Sequence, residues 1–484
     1  MNRQIKGVGL VMMVLFLALF VQVNYLQIIK AEDLNKHPAN TRAIVRDFSR
    51  PRGVIQTSDG VVLAQSVPTD NEFERLRQYP EGDLFSHLTG FFSFNFGADG
   101  LERTYNGDLV GRDQQFELEK LSDLLVKKER VGDVTLTVSK RVQQIATEQL
   151  GDRKGAVVAL DPTNGAILAM ADYPRFDPNL LSGHNQAEVK QAWDALNADP
   201  DKPLLPRAYR ERYFPGSAFK VVTTATALAT GVATTTQPVY PQLSSLPLPQ
   251  ASQPLGNFGG GTCGGPLPIA LAVSCNTAFA QLGMDLGPER LASGAEGFGF
   301  GKEPPLDLPG PAASNFPSAD DLSGNKPVQA KSAIGQQDVQ TTPLQMALIA
   351  AAIGNGGVIM TPHLMSEVRN SEGVVIKSYE PRPWVEAVPA DVAATTRDLM
   401  VGVVQAGTGT RAQIPGMLVG GKTGTAQTGL DTNHVWFVGF APADAPKVAV
   451  AVMLEDLPVA SEGTGGALAA PIAKAVMEAV LFSG

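Results

Sequence analysis

The sequence predicts an α+β protein: an antiparallel sheet flanked by helices, preceded by a smaller strand-rich domain and one N-terminal transmembrane helix. Three observations point there. Strand-like runs stand at both ends of the larger region with helical patterns between them, so its first and last strands share one sheet. An earlier region alternates apolar and polar positions around short turns. No residue from Gly7 to Ile29 carries a charge, with Arg3 and Lys6 before the run and Lys30 after it.

That uncharged run is long enough to cross a hydrocarbon core of about 30 Å as a helix. It lacks a clear small-residue cleavage site, which favours an uncleaved anchor over a signal peptide. Residues 1–6 form the short basic N-terminus, expected in the cytoplasm, with everything after Lys30 outside.

Residues 30–150 form the expected first domain. RAIVRDFSRPRGVIQTSDGVVLAQSV, from Arg42 to Val67, alternates on both sides of Asp59-Gly60, a hairpin signal. Gly97, Gly100 and Gly107 crowd around Glu102, which reads as a tight, irregular connection. Asp133 to Val138 reads as a strand, and Ser139 to Leu150 as a helix opened by a serine.

Residues 151–484 form the second domain. Two apolar strands flank Asp161-Pro162-Thr163-Asn164-Gly165, a hairpin cue. Pro/Gly-rich surface loops are expected near 237–268 and 303–327. MLVGGKTGTAQT, HVWFVGFAP and KVAVAVMLED have the spacing of an antiparallel meander, and Gly466 to Phe482 closes the chain as an apolar helix.

Composition narrows the function. The chain has 484 residues, which suits two or three domains. A net charge of −9 and the lack of a long basic cluster argue against nucleic-acid binding. The five histidines are scattered singly and Cys263 and Cys275 are the only cysteines, so neither a metal site nor a cofactor is expected. In an oxidising compartment the two cysteines are expected to pair, closing a loop that contributes about 3 kcal/mol in the chain-entropy account.

Three short motifs carry the chemistry. Ser217-Ala218-Phe219-Lys220 follows the Pro215-Gly216 turn and opens a helical run that stops at Gly231. Ser217 and Lys220 then face one side. A serine hydroxyl needs a base, and a lysine serves once burial or a neighbouring cation lowers its pKa. Ser274-Cys275-Asn276 lies between two helical patterns. Lys422-Thr423-Gly424-Thr425 lies in a strand after Gly420 and Gly421, where glycine permits close backbone approach and a strand edge can pair with an extended peptide. Each motif alone reads as a helix cap or a solvated lysine. In this order and context they match the signature set of penicillin-binding proteins and class A β-lactamases.

Longer stretches extend the resemblance. PRGVIQTSDG and GLERTYNGDLVG resemble the pedestal motifs of class B penicillin-binding proteins. KGAVVALDPTNGAILAMADYPRFDPN, LPRAYRERYFPGSAFK and AIGQQDVQTTPLQMALIAAAIGNGGVIMTPHL are similar to blocks of the transpeptidase domain. The pairing of TCGG with SCNT resembles actinobacterial members. The resemblance implies a peptidoglycan D,D-transpeptidase acting on stem peptides ending in D-Ala-D-Ala and acylated by β-lactams. Ser217 is then the nucleophile and Lys220 its base. Ser274, Asn276 and Lys422 assist, Thr423 and Thr425 bind the terminal carboxylate with Gly424 between them, and the Ser217 and Thr425 amides form the oxyanion hole. A separate membrane glycan polymerase of the RodA/FtsW type is implied, contacting the anchor and the region from Arg42 to Glu102.

Three positions depart from the family pattern. Cys275 replaces the aspartate, Pro206-Arg207-Ala208 stands for Asn-Arg-Ala, and Gln336-Gln337 stands for Gln-Gly, with an altered turn expected. A class A enzyme needs a glycosyltransferase domain, for which the first region is too short. A β-lactamase is the rival within the same chemistry, but no glutamate-bearing run after the second motif resembles its deacylating loop. A β-lactam sensor or inactive scaffold is the rival outside it; sensors tend to carry several spans, and a scaffold is expected to lose a motif.

Overall fold

The computed structural model describes residues 2–26, 30, 50–71, 73–111, 131–459 and 463–482. The calls on residues 27–29 of the anchor and on 42–49 of the first domain lie outside these. Helix α1 is Asn2–Asn24. Within it Lys6–Asn24 reaches a mean hydropathy of 2.2 over an 18-residue window and buries nothing against the protein, a length and composition that fit a membrane span.

The first domain is built on β1 (Ile55–Gln56), β2 (Val62–Pro68), β3 (Arg75–Gln78) and β4 (Gly132–Leu136), with short helices α2 (Ser86–Thr89), α3 (Gly100–Thr104) and α4 (Asn106–Leu109). The β1–β2 pair is the expected hairpin, turned at Gly60 in the left-handed region, φ +78°. At the centre of this domain Glu102 accepts from Arg52 Nε and Arg77 Nε, both at 2.6 Å, with all three side chains buried. Gly90 and Gly100 touch backbone to backbone, so a Cβ on Gly90 would lie 2.1 Å from Asp99 O. The irregular connection expected around Glu102 is therefore the carrier of an ion triad.

Helix α5 (Lys140–Leu150) begins after Ser139, whose side chain makes no cap bond. Asp59 takes that role, accepting from Lys140 N at 3.1 Å. Val142, Ala146 and Leu150 of α5 pack into the core of the second domain, so the expected boundary after residue 150 falls behind a helix that belongs with that domain.

The second domain's sheet comprises β5 (Gly155–Leu160), β6 (Ile167–Tyr173), β9 (Gly420–Gln427), β10 (Thr432–Ala441) and β11 (Val448–Pro458). Its order is β9-β10-β11-β5-β6, antiparallel throughout, so the first and last strands pair as expected. Both faces are covered. Val157 and Ala159 join the cluster under α5 and the C-terminal α12 (Ala470–Leu481), while Ala156, Val158 and Leu160 point into the other cluster. The period of two along β5 thus serves two buried faces, which explains its unbroken apolar sequence.

The intervening helices include α6 (Lys220–Ala229), α7 (Leu267–Ala272), α8 (Asn276–Gly297), α9 (Lys326–Ser332), α10 (Pro343–Gly354) and α11 (Ala390–Ala406). The hairpin β7 (Met365–Asn370) and β8 (Val375–Ser378) leaves the second domain and completes the first domain's sheet, in the order β8-β7-β4-β1-β2-β3. The stretch expected as a plain loop near 237–268 contains two short ladders, 240–243 with 263–265 and 245–246 with 255–256. The expected disulfide between Cys263 and Cys275 is present.

Candidate active site

Ser217 sits on a short 3-10 turn, Gly216–Phe219, that leads into α6 instead of lying on α6 itself. In such a turn positions three apart eclipse, so Ser217 and Lys220 still face one side. Gly216 has φ +52°, and its Cβ would stand 2.8 Å from Thr425 O. A Cβ on Gly424 would stand 2.7 Å from Pro215 O. The turn and strand β9 therefore touch backbone to backbone, and glycine on each side is what lets them. Gly420 and Gly421 serve differently, making room for the rings of Phe440 and Phe437.

The second motif fills the break between α7 and α8. Ser274 holds φ +60°, an unusual conformation for a side-chain-bearing residue and one that concentrates at functional sites. Its hydroxyl accepts from Lys422 Nζ at 2.9 Å and from Lys220 Nζ at 3.4 Å. Lys220 Nζ also donates to Ser274 O at 2.8 Å and Asn276 Oδ1 at 2.7 Å, and Lys422 Nζ to Thr423 O at 2.8 Å. All three motifs thus meet at Ser274. Ser217 is half-buried, and its hydroxyl has no hydrogen-bond partner among the described residues. Lys220 is held on the second motif through Ser274 O and Asn276 Oδ1.

Both lysines are fully buried, and among the described residues no carboxylate pairs with them. Burial, and then the neighbouring Lys422 charge, push the Lys220 ammonium well below the usual lysine range. Burial lowers Lys422 to about 7. A lysine in that state can accept a proton near neutral pH.

The motifs line a cleft of about 1160 Å³ that includes Ser217, Ser274, Asn276, Thr423, Gly424 and Thr425. Strand β9 is the outer strand of its sheet, so one of its backbone edges lacks a strand partner. Residues not singled out in the sequence also line the cleft. Thr408 shares a 2.6 Å hydroxyl contact with Thr423. Phe258 is exposed on a glycine-rich flap held by the Cys263–Cys275 bridge, and Arg411 also lines the cleft. No local pattern marks these three, because only the long-range fold brings them to the site. Gln337 also lines it, at φ +68°, the left-handed turn that glycine ordinarily takes. No group of metal-ligating side chains occurs among the described residues.

This is the layout of an active-site-serine enzyme of the penicillin-recognising kind. The description "Penicillin binding protein transpeptidase domain" matches residues 155–478, and "Penicillin binding protein A dimerisation domain" matches 52–134. The chain is 40% identical to the peptidoglycan D,D-transpeptidase PbpA of Mycolicibacterium smegmatis, covering 100% of both chains. The crystal structure of penicillin-binding protein A from M. tuberculosis as a ceftriaxone acyl-enzyme superposes with a TM-score of 0.84 at 40% identity, covering 90% of this chain and 100% of that one. The D,D-transpeptidase domain from Eggerthella lenta does so at 0.78 and 38% identity, covering 90% and 98%. The chain belongs to the penicillin-binding protein transpeptidase family, and its full-length similarity is to the actinobacterial class B type.

Proposed function

We propose that this protein is a membrane-anchored peptidoglycan D,D-transpeptidase, with Ser217 as nucleophile. The observation that carries the reading is the convergence of Lys220, Lys422 and Asn276 around Ser274, beside an unengaged serine hydroxyl. Ser217 Oγ attacks the carbonyl of the penultimate D-alanine while Lys220 takes its proton. The amides of Ser217 and Thr425 hold the oxyanion. The C–N bond to the terminal D-alanine breaks, and the proton passes through Ser274 to the leaving amine. An acceptor amine then attacks the ester, a new amide forms, and Ser217 recovers its proton. β-Lactams enter the same path, and similar acyl-enzymes are those of the M. tuberculosis relative with ceftriaxone and penicillin G.

The test is labelling with a fluorescent penicillin. Wild-type protein takes up one equivalent at Ser217 and releases it slowly; Ser217→Ala takes up none while keeping its unfolding midpoint. Label on another residue sinks the assignment, and sustained turnover of a chromogenic β-lactam favours a hydrolase.

Helix α1 fits a single membrane anchor. The disulfide supports an oxidising compartment for the catalytic domain. Cross-linking by a transpeptidase domain needs fresh glycan strands, which supports a partner of the RodA/FtsW type at the anchor and the first domain. Exchanging α1 for an unrelated span should impair growth while leaving penicillin labelling intact. Full complementation by the exchanged protein counts against contact through the anchor.

A further inference from the structure

Among the described residues the cleft is lined by two charged side chains, Lys331 and Arg411, and by no aspartate or glutamate. The chain as a whole carries 48 acidic and 39 basic residues. The lysines beneath the cleft do not supply a dependable charge. Burial holds both below the usual range, Lys422 at about 7, and each is committed to oxygens of the second and third motifs. A guanidinium, by contrast, stays protonated at any working pH.

Arg411 is also in the right neighbourhood. It lies on the 3-10 turn Thr410–Ala412, just after Thr408, whose hydroxyl touches that of Thr423. Its Nη1 donates to Ala467 O at 3.1 Å. The residue before Ala467 is Gly466, where a Cβ would stand 3.6 Å from the Thr423 methyl. Arg411 is thus tied to the surroundings of Thr423 both through its own turn and through its hydrogen bond. It makes no ion pair among the described residues, so most of its donors remain open. Lys331 comes from the other wall, at the end of α9, close to Gly335, whose carbonyl accepts from Gly216 N at 2.9 Å.

We propose that Arg411 is the specificity-determining cation of the cleft, pairing with the terminal carboxylate of the donor peptide beside Thr423. The inference rests on the transpeptidase reading and adds the charge that hydroxyls alone do not provide. A charge-assisted hydrogen bond at a partly exposed site changes affinity about tenfold. The positive wall also disfavours donors whose end is amidated or esterified, since the guanidinium is then left facing a neutral group.

The experiment uses the full chain in detergent and two thioester donors, benzoyl-D-alanyl-thioglycolate and its methyl ester, with a D-amino acid as acceptor. They differ only in the carboxylate. Wild-type protein prefers the acid in kcat/KM. Arg411→Ala lowers that preference about tenfold, through the KM of the acid, and Arg411→Lys retains part of it. An equal fall on both donors means a merely structural role and overturns the inference, as does an unchanged preference. Loss of the preference in Lys331→Ala, with Arg411→Ala unaffected, overturns it as well. Failure of unlabelled wild-type protein, competent to take up penicillin, to use either thioester strikes instead at the transpeptidase reading and removes the inference with it.

Discussion

The first domain and the active site each bury two cations almost completely, and they provide for them in opposite ways. Arg52 and Arg77 share the carboxylate of Glu102, and Arg52 adds bonds to Asn106 Oδ1 and Glu102 O. Among the described residues Lys220 and Lys422 face uncharged groups, oxygens of Ser274, Asn276 and Thr423 and, for Lys220, the Phe279 ring at 5.3 Å, and no carboxylate. The protonation consequences follow. Burial alone would raise the Glu102 carboxyl, but the two guanidiniums overcome it and hold the group below the usual range. At the active site nothing opposes burial, and both lysines fall. A buried cation with a partner is framework; a buried cation without one is available to exchange a proton.

The sharpest way to break this contrast is Lys220→Met. If the lysine is the base, penicillin acylation falls by about 10²- to 10⁴-fold. If its charge is uncompensated, an apolar chain of similar volume leaves stability unchanged or raises it. Stopped-flow labelling and a denaturant melt on one preparation read both. Retained acylation, or a large loss of stability, would place Lys220 with the framework cations instead.

Glu102→Gln makes the converse change. The amide keeps the volume while leaving two guanidiniums buried without a counter-charge, which costs about 3–5 kcal/mol. Because β7 and β8 complete the same sheet, the loss should spread to the junction of the domains. A urea midpoint shift worth less than about 1 kcal/mol, the scale of an exposed pair, would show the triad to be dispensable.

The contrast also explains what was legible in the sequence. Ser217, Lys220, Ser274, Asn276 and Lys422 were legible as candidates because reactive spacing is local: two residues on one turn, a break between helices, a glycine-flanked strand. The β5–β6 hairpin and the meander β9–β10–β11 were found because a period of two and an Asn-Gly turn are local as well. Thr408 and Arg411 were not, since what places them is contact with Thr423 and Ala467 across the fold. The β7–β8 hairpin escaped for the same reason: nothing in Met365–Asn370 announces that it pairs with β4. Of the departures, Gln336-Gln337 reads most clearly. Gln337 takes a left-handed turn, at a cost of about 1–2 kcal/mol relative to glycine. At Pro206-Arg207-Ala208, Arg207 pairs with Glu455 at 2.8 Å and Ala208 N donates to Asp172 at 2.6 Å, anchoring the segment before the nucleophile.

The most gradual effect lies in the pH dependence of stability, where the two regions should act at opposite ends of the scale. Glu102 has a lowered pKa in the folded protein, so its contribution is complete above the unfolded carboxylate value and is lost as pH falls through the folded one. It gives no slope under alkaline conditions. Lys422 titrates at about 7 when folded, against 10.5 as the ordinary value. Between those limits the unfolded chain binds the proton that the folded chain has released, so stability rises with pH. Below about 7 both states are protonated, and the full penalty of the buried charge remains. The slope from this one group is at most about 1.4 kcal/mol per pH unit, and Lys220 adds to it with the same sign. Other lysines and tyrosines titrate there too, so the quantity to follow is the difference between wild type and Lys422→Met. That variant lacks the penalty, and its stability advantage should be largest at neutral pH and shrink as the solution becomes alkaline. Denaturant midpoints taken across that range decide the matter: an advantage that stays constant, or grows, would mean that Lys422 keeps its charge in the folded enzyme.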